Sequence, residues 1–232
     1  MMKLSYLFEN SRQAGKTTQA MVDHFQKRTN FHIELVRKYL QKIIDLNDSR
    51  LDNYILEKEK MHDQSKFKEP ELSPYIILTW SYHQKDLNKK FNPSEDIKTK
   101  MQIASFHHVK NNEHHVEAWD ENSKVDSINR ADRDTPPEKI VDGTKMPLTY
   151  VASMVADWCA MSEEKKTCPY EWAKKNINVR WKLNKEQEKL IYDLLDKIWE
   201  NSWEGESFKT HQIRLMNKCE INRRIKCPQK RK

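Results

Sequence analysis

Along residues 18 to 46 the apolar positions Met21, Phe25, Phe31, Leu35, Val36, Tyr39, Leu40, Ile43 and Ile44 recur at helical spacing. The pattern predicts one long amphipathic helix with a break near Asn30. Asn47-Asp48-Ser49 supplies a turn and an N-cap for a second helix, with Leu51, Tyr54, Ile55 and Met61 as its apolar positions. Residues 67–73 interrupt the pattern around Pro70, and Ser73-Pro74 begins a third helix that runs to about residue 87. Asn92-Pro93-Ser94 opens a fourth, predicted to continue from residue 95 to about 119. Residues 120–147 are polar, contain Pro136-Pro137, Gly143 and Pro147, and hold no sustained period, so they read as a long loop. Residues 148–162, rich in Val, Ala and Met, predict a helix buried on most sides. A last amphipathic helix spans residue 184 to about 199 through Leu190, Ile191, Leu194, Leu195 and Ile198. No internal repeat is present.

Composition narrows the fold further. Only three glycines occur in 232 residues, too few for a dinucleotide-binding fold, a Gly-rich phosphate loop or a turn-dense barrel, each of which needs Gly where φ is positive. Ala14-Gly15-Lys16-Thr17-Thr18 looks like the end of a phosphate loop, but that motif requires Gly at position 10, where Asn10 stands. An all-α single domain is the expectation: an extension over residues 1–20, a helical domain over 21–218 and a tail over 219–232. A hydrophobic fraction of 37% is ample for a core, while 33% charged residues predict a heavily solvated surface.

No run approaches the eighteen or so apolar residues needed to span a bilayer, and no secretory leader is evident. The four cysteines show no Cys-x-x-Cys spacing and read as reduced thiols, which implies a cytoplasmic protein. The net charge of +7 is uneven. Arg223, Arg224, Lys226, Lys230, Arg231 and Lys232 against Glu220 give the tail +5, leaving +2 for the rest. Such a tail could make weak phosphate contacts with nucleic acid, or it could be a solvated terminus.

Histidine carries the candidate chemistry. His107, His108, His114 and His115 lie within nine residues. If the stretch is helical, His108, Asn112 and His115 share one stripe and His107, Asn111 and His114 the next. Imidazoles facing inward could bind a divalent metal or phosphate oxygens; the alternative is a solvated histidine-rich face. His62-Asp63 offers an adjacent imidazole and carboxylate, and Lys66 one turn later could meet a phosphate. Asp157 sits in the apolar helix, where a carboxylate costs several kcal/mol unless it is paired or metal-bound. His32 lies among Phe31, Leu35 and Val36, which by itself suggests a core histidine.

Taken in order, His32, His62-Asp63, the histidine cluster and Asp157 resemble the H…HD…D pattern of the HD-domain superfamily, in which a helical bundle holds divalent metals and most members hydrolyse phosphoesters. The resemblance implies an HD-like helical bundle with His32, His62, Asp63 and Asp157 as the basic metal set. It also implies His108, His114 and His115 as further ligands and Lys66 as the lysine of an HDxxK motif. The strings His62-Asp63-x-Ser65-Lys66-Phe67 and His107-His108-x-x-x-Asn112-x-His114-His115 are similar to those of uncharacterised HD-like proteins in phage and bacterial genomes. Ser153 departs from that likeness, which implies an acidic residue there.

On this resemblance the expected function is metal-dependent hydrolysis of a nucleotide or related phosphate, with one or two ions of Mn, Fe, Co, Mg or Zn. Asp63, Lys66 and His115 would be catalytic, and Lys66, Asn112, Arg130 and Arg133 would bind substrate. The loop 120–147, with Arg130, Arg133 and Lys145, would be either a lid that adds phosphate contacts or a mobile excursion, and a phage origin would place the protein in the host cytoplasm. Two other functions fit the same residues: a di-iron oxygenase of HD type, and a non-enzymatic helical protein that binds nucleic acid through its tail.

Overall fold

A computed structural model describes residues 17–124 and 139–199. The protein is mostly helical, as the periodicity predicts. Among the described residues there are seven α-helices: α1 (Gln19–Asp45), α2 (Asn53–Glu59), α3 (Leu72–Asp86), α4 (Glu95–Asn111), α5 (Leu148–Lys165), α6 (Pro169–Asn176) and α7 (Lys185–Ile198). Two 3₁₀ turns cover Gln64–Phe67 and Val116–Trp119. No helix among the described residues is long and apolar enough to cross a membrane.

α1 begins where Thr18 Oγ1 accepts the Met21 amide at 3.4 Å. It runs through Asn30 without a break: Asn30 is exposed, while Phe25, Thr29, His32 and Val36 keep one buried face in register across it. One residue of modest helix propensity does not outweigh that continuity. The N-terminal end of α1, through Met21, Val22 and Phe25, packs with Leu72, Ile76 and Ile77 of α3 and Ala104 of α4. The C-terminal end, through Val36, Tyr39, Leu40 and Ile43, packs with α5 and α7 around Val151, Val155, Leu190 and Leu194. His32 therefore falls where two apolar clusters meet.

Several boundaries differ from the sequence expectation. α2 is capped by Asp52, whose Oδ1 accepts from the amides of Tyr54 and Ile55 at 2.9 and 3.2 Å. In the preceding turn Asp48 binds Arg50, which also reaches Asp193 of α7 at 3.2 Å. The Arg50 guanidinium outweighs burial and holds the Asp48 carboxyl at about 2, below its ordinary 3.8. α3 starts at Leu72, leaving Pro74 in the first turn, where a missing amide proton is harmless.

α4 stops at Asn111 instead of continuing to residue 119. Asn112 adopts an extended backbone, and its Nδ2 donates to the His108 carbonyl at 2.7 Å, replacing the helical partner. The expected loop 120–147 contains a strand, Val141–Asp142, which pairs in parallel with Trp181–Lys182. The adjacent Gly143 is required by close approach, since a Cβ there would lie 2.5 Å from Val116 Cγ1 and 2.9 Å from Leu183 Cδ2. α6 has no counterpart in the expectation, although Pro169 at its start is a recognisable helix signal.

Candidate metal centre

Four segments deliver the site. α1 carries His32, the turn after α2 carries His62 and Asp63, and α5 carries Asp157. The fourth segment is the end of α4 with the turn beyond it, carrying His108, His114 and His115. Asp63 has φ 59°, a left-handed conformation that ends the turn and aims its carboxylate inward. His32, His62, Asp63, His108 and His114 are all buried.

Asp63 lies at the middle. Its Oδ1 is 3.1 Å from His108 Nε2 and 3.5 Å from His62 Nε2, and its Oδ2 is 3.8 Å from His32 Nε2. Lys66 makes a close ion pair with Asp63 Oδ2. Asp157 Oδ1 is 3.0 Å from His32 Nε2 and 3.7 Å from His62 Nε2. The rings of His62 and His114 have centroids 4.1 Å apart, and those of His114 and His115 are 4.3 Å apart.

Three overlapping triads have ligand atoms within 4.8 Å of one another: His32, His62 and Asp157; His62, Asp63 and His114; His108, His114 and His115. Within these triads, Nε2 of His114 and of His115 is buried with no hydrogen bond among the described residues, as is Nδ1 of His32 and of His62. A buried polar atom without a partner costs about 1–3 kcal/mol, and a cluster of them around two carboxylates fits a divalent cation better than it fits itself.

The titration behaviour agrees with that donor set. Burial pushes His62 and His115 well below the ordinary imidazole value, the direction that favours ligation. Burial works the other way on Asp63, but His62, Lys66 and His108 outweigh it and hold the carboxyl well below its usual range. At Asp157, too, burial is overcome by His32, His62 and His114, so the group stays ionised.

A cavity of about 240 Å³ opens beside the cluster. His32, His62, Asp63, His108, His115 and Asp157 line its inner end, with Lys66 and Tyr75 on the wall and His24, Arg28 and His83 toward the rim. Tyr75 Oη is buried and has no hydrogen-bond partner among the described residues.

The structure thus brings together His32, His62, Asp63, Lys66, His108, His114, His115 and Asp157. His115 arrives by a turn and not on the helical stripe expected for it, because α4 has already ended. Asn112 does not line the cavity; its amide is committed to the His108 carbonyl and to Ser65 Oγ at 3.2 Å. Lys145 is exposed, 3.5 Å from Glu121. Arg130, Arg133 and the 219–232 tail lie outside the described residues, as do residues 1–16 with Gly15 and Lys16.

Sequence reasoning missed Tyr75 and three glutamates. Glu71 is fully buried, with its oxygens 2.8 Å from His107 Nδ1 and 2.9 Å from His108 Nδ1. Glu59 is 3.5 Å from His114 Nδ1, and Glu164 is 3.7 Å from His32 Nδ1. Among 35 acidic residues nothing local marks these three. Only the position of Glu71, just beyond the His62–Phe67 string, offered a clue. Ser153, where an acidic residue was expected, donates to Glu59 Oε2 at 2.8 Å, so α2 supplies the carboxylate that α5 lacks.

Neither the curated proteins nor the solved structures hold a significant match to this chain. The model of a family of unknown function, DUF5662, matches residues 21–197, a span that contains every converging side chain, and the chain belongs to that family.

Proposed function

We propose that the cluster is a centre for one or two divalent metal ions, and that the protein hydrolyses a phosphoester, with a nucleotide or related phosphate as substrate. One observation carries the metal reading. Imidazoles and carboxylates from four chain segments converge, several ring nitrogens buried without partners among the described residues, at the end of an open cavity. The order of the inner residues along the chain supports the HD-like reading, and a positive group beside the cavity supports phosphate.

His32, His62, Asp63 and Asp157 would hold one ion, with His108, His114 and His115 available to a second. An ion there supplies Lewis acidity toward a phosphoryl oxygen and a nucleophilic water near neutral pH. The chain's own groups do the rest. Asp63 anchors Lys66 at the cavity wall, where the ammonium offers charge to a phosphoryl group. Tyr75 Oη is free to donate to substrate. His115, kept neutral by burial, suits ligation or proton acceptance, so the proton for the leaving oxygen falls to Lys66, Tyr75 or solvent.

The test is elemental analysis of the protein and a His62→Ala, Asp63→Asn double variant, each equilibrated with Mn²⁺, Fe²⁺ and Zn²⁺, followed by a phosphoester and nucleotide screen. Stoichiometric metal in the parent alone, with phosphate release, is expected. Equal, negligible metal in both proteins would remove the metal reading. Bound iron with oxygen consumption and no phosphate release would replace hydrolysis by oxidation.

A further inference from the structure

Each of three inward-facing imidazoles has a glutamate behind it, on a different element from its own. His108 on α4 turns Nε2 toward Asp63 and Nδ1 toward Glu71 at the start of α3. His32 on α1 turns Nε2 toward Asp157 and Nδ1 toward Glu164 on α5. His114, beyond α4, turns Nδ1 toward Glu59 at the end of α2 and leaves a buried Nε2 without a partner. The glutamates are themselves held. Ser65 Oγ donates to Glu71 at 3.0 Å, Ser153 Oγ to Glu59 at 2.8 Å, and Arg28 grips both oxygens of Glu164 at 2.9 and 3.3 Å.

We propose that Glu71, Glu164 and Glu59 are positioning residues that hold His108, His32 and His114 with Nε2 turned toward the centre, preparing each ring to bind metal through that atom. The inference rests on the metal reading above. A carboxylate accepting the Nδ1 proton fixes the tautomer, prevents the ring from flipping and makes the opposite nitrogen a stronger donor. Glu71 is the strongest case, because its contacts are of hydrogen-bond length and its side chain is wholly buried. Burying that carboxylate carries a large desolvation cost, and its partners are two adjacent histidines and a serine. Glu164 and Glu59 act at longer range, through charge. His32 Nδ1 faces Glu164 without a hydrogen bond, whereas His62, which meets Asp63 and Asp157 through Nε2, has neither a hydrogen bond nor a carboxylate within 4.0 Å at its buried Nδ1 among the described residues.

The experiment strips the protein with chelator and titrates it with Mn²⁺ by calorimetry and with Co²⁺ by visible absorption, alongside Glu71→Gln, Glu71→Ala and Glu164→Gln. Glu71→Ala is expected to weaken the tighter site by roughly 10- to 100-fold and to change the Co²⁺ spectrum, with Glu71→Gln in between. His107→Ala, which touches the same glutamate from an exposed ring, should stay within about twofold of the parent. If Glu71→Ala does not fold, Glu164→Gln carries the same comparison behind His32. Variants that bind with the parent's affinity and spectrum would overturn the positioning role while leaving the metal centre intact. A parent that binds no metal would overturn both.

Discussion

Two regions packed along one helix differ in what they leave unfinished. Where the C-terminal half of α1 meets α5 and α7, Val36, Leu40, Val155, Leu190 and Leu194 fill the space with side chains that need nothing further. A few residues along the same helix, around His32, the space is filled by imidazoles and carboxylates, and several of the buried ring nitrogens lack partners among the described residues. The first region is complete as folded. On the metal centre proposed above, the second is completed by a cation, and stability and function are divided between the two.

The sharpest way to break that division is to damage the apolar region. Leu194→Ala should cost about 2–5 kcal/mol, because a large side chain is removed from a fully buried position. The loss should be the same with and without metal when measured by chemical denaturation. A loss that changed with metal would show the regions to be one unit. Next in size is the metal itself. At a hundred times its dissociation constant an ion bound only by the folded state adds about 2.7 kcal/mol, or roughly 5–10 °C in a protein of this length. Thermal melts should show that gain in the parent and none in the His62→Ala, Asp63→Asn variant.

A smaller effect carries the opposite sign. His114→Leu replaces a buried ring with an unpartnered nitrogen by an apolar side chain, and should stabilise the metal-free protein by about 1 kcal/mol while weakening metal binding. A destabilised metal-free variant would mean that the ring packs for its own sake.

The smallest effect lies in the turn between α1 and α2. Asp48 titrates at about 2 when folded against an ordinary 3.8, so its contribution is present above 3.8 and is lost as pH falls through 2. Parent and Asp48→Asn should differ by about 1 kcal/mol at pH 6, after allowance for solvent screening, and converge near pH 2 in urea titrations. A difference that persisted at pH 2 would assign it to packing.

The comparison also explains what could be read in the sequence. α1 and α7 were legible because an apolar stripe repeats at the helical period, and α5 because its residues are apolar on most sides; His32, His62, Asp63 and Asp157 were singled out together only through the resemblance to the H…HD…D pattern. The end of α4 was not. Its polar residues continue a helical spacing, and only the bond from Asn112 to the His108 carbonyl reveals that the backbone turns away. The short parallel ladder was invisible because two-residue strands carry no period. Glu59, Glu71 and Glu164 were hidden because their roles depend on neighbours 55, 37 and 132 positions away along the chain, as with Glu59 and His114, Glu71 and His108, and His32 and Glu164.

The left-handed backbone at Asp63 decides how the centre can be interrogated. Asp and Asn tolerate positive φ better than other residues with a Cβ, so a change to Ala there alters the turn as well as the carboxylate. Asn keeps the shape and removes the charge, and Gly keeps the turn and removes the side chain. A series of Asn, Gly and Ala at this position would separate chemistry from conformation: loss in all three assigns the effect to the carboxylate, and loss in Ala alone assigns it to the turn.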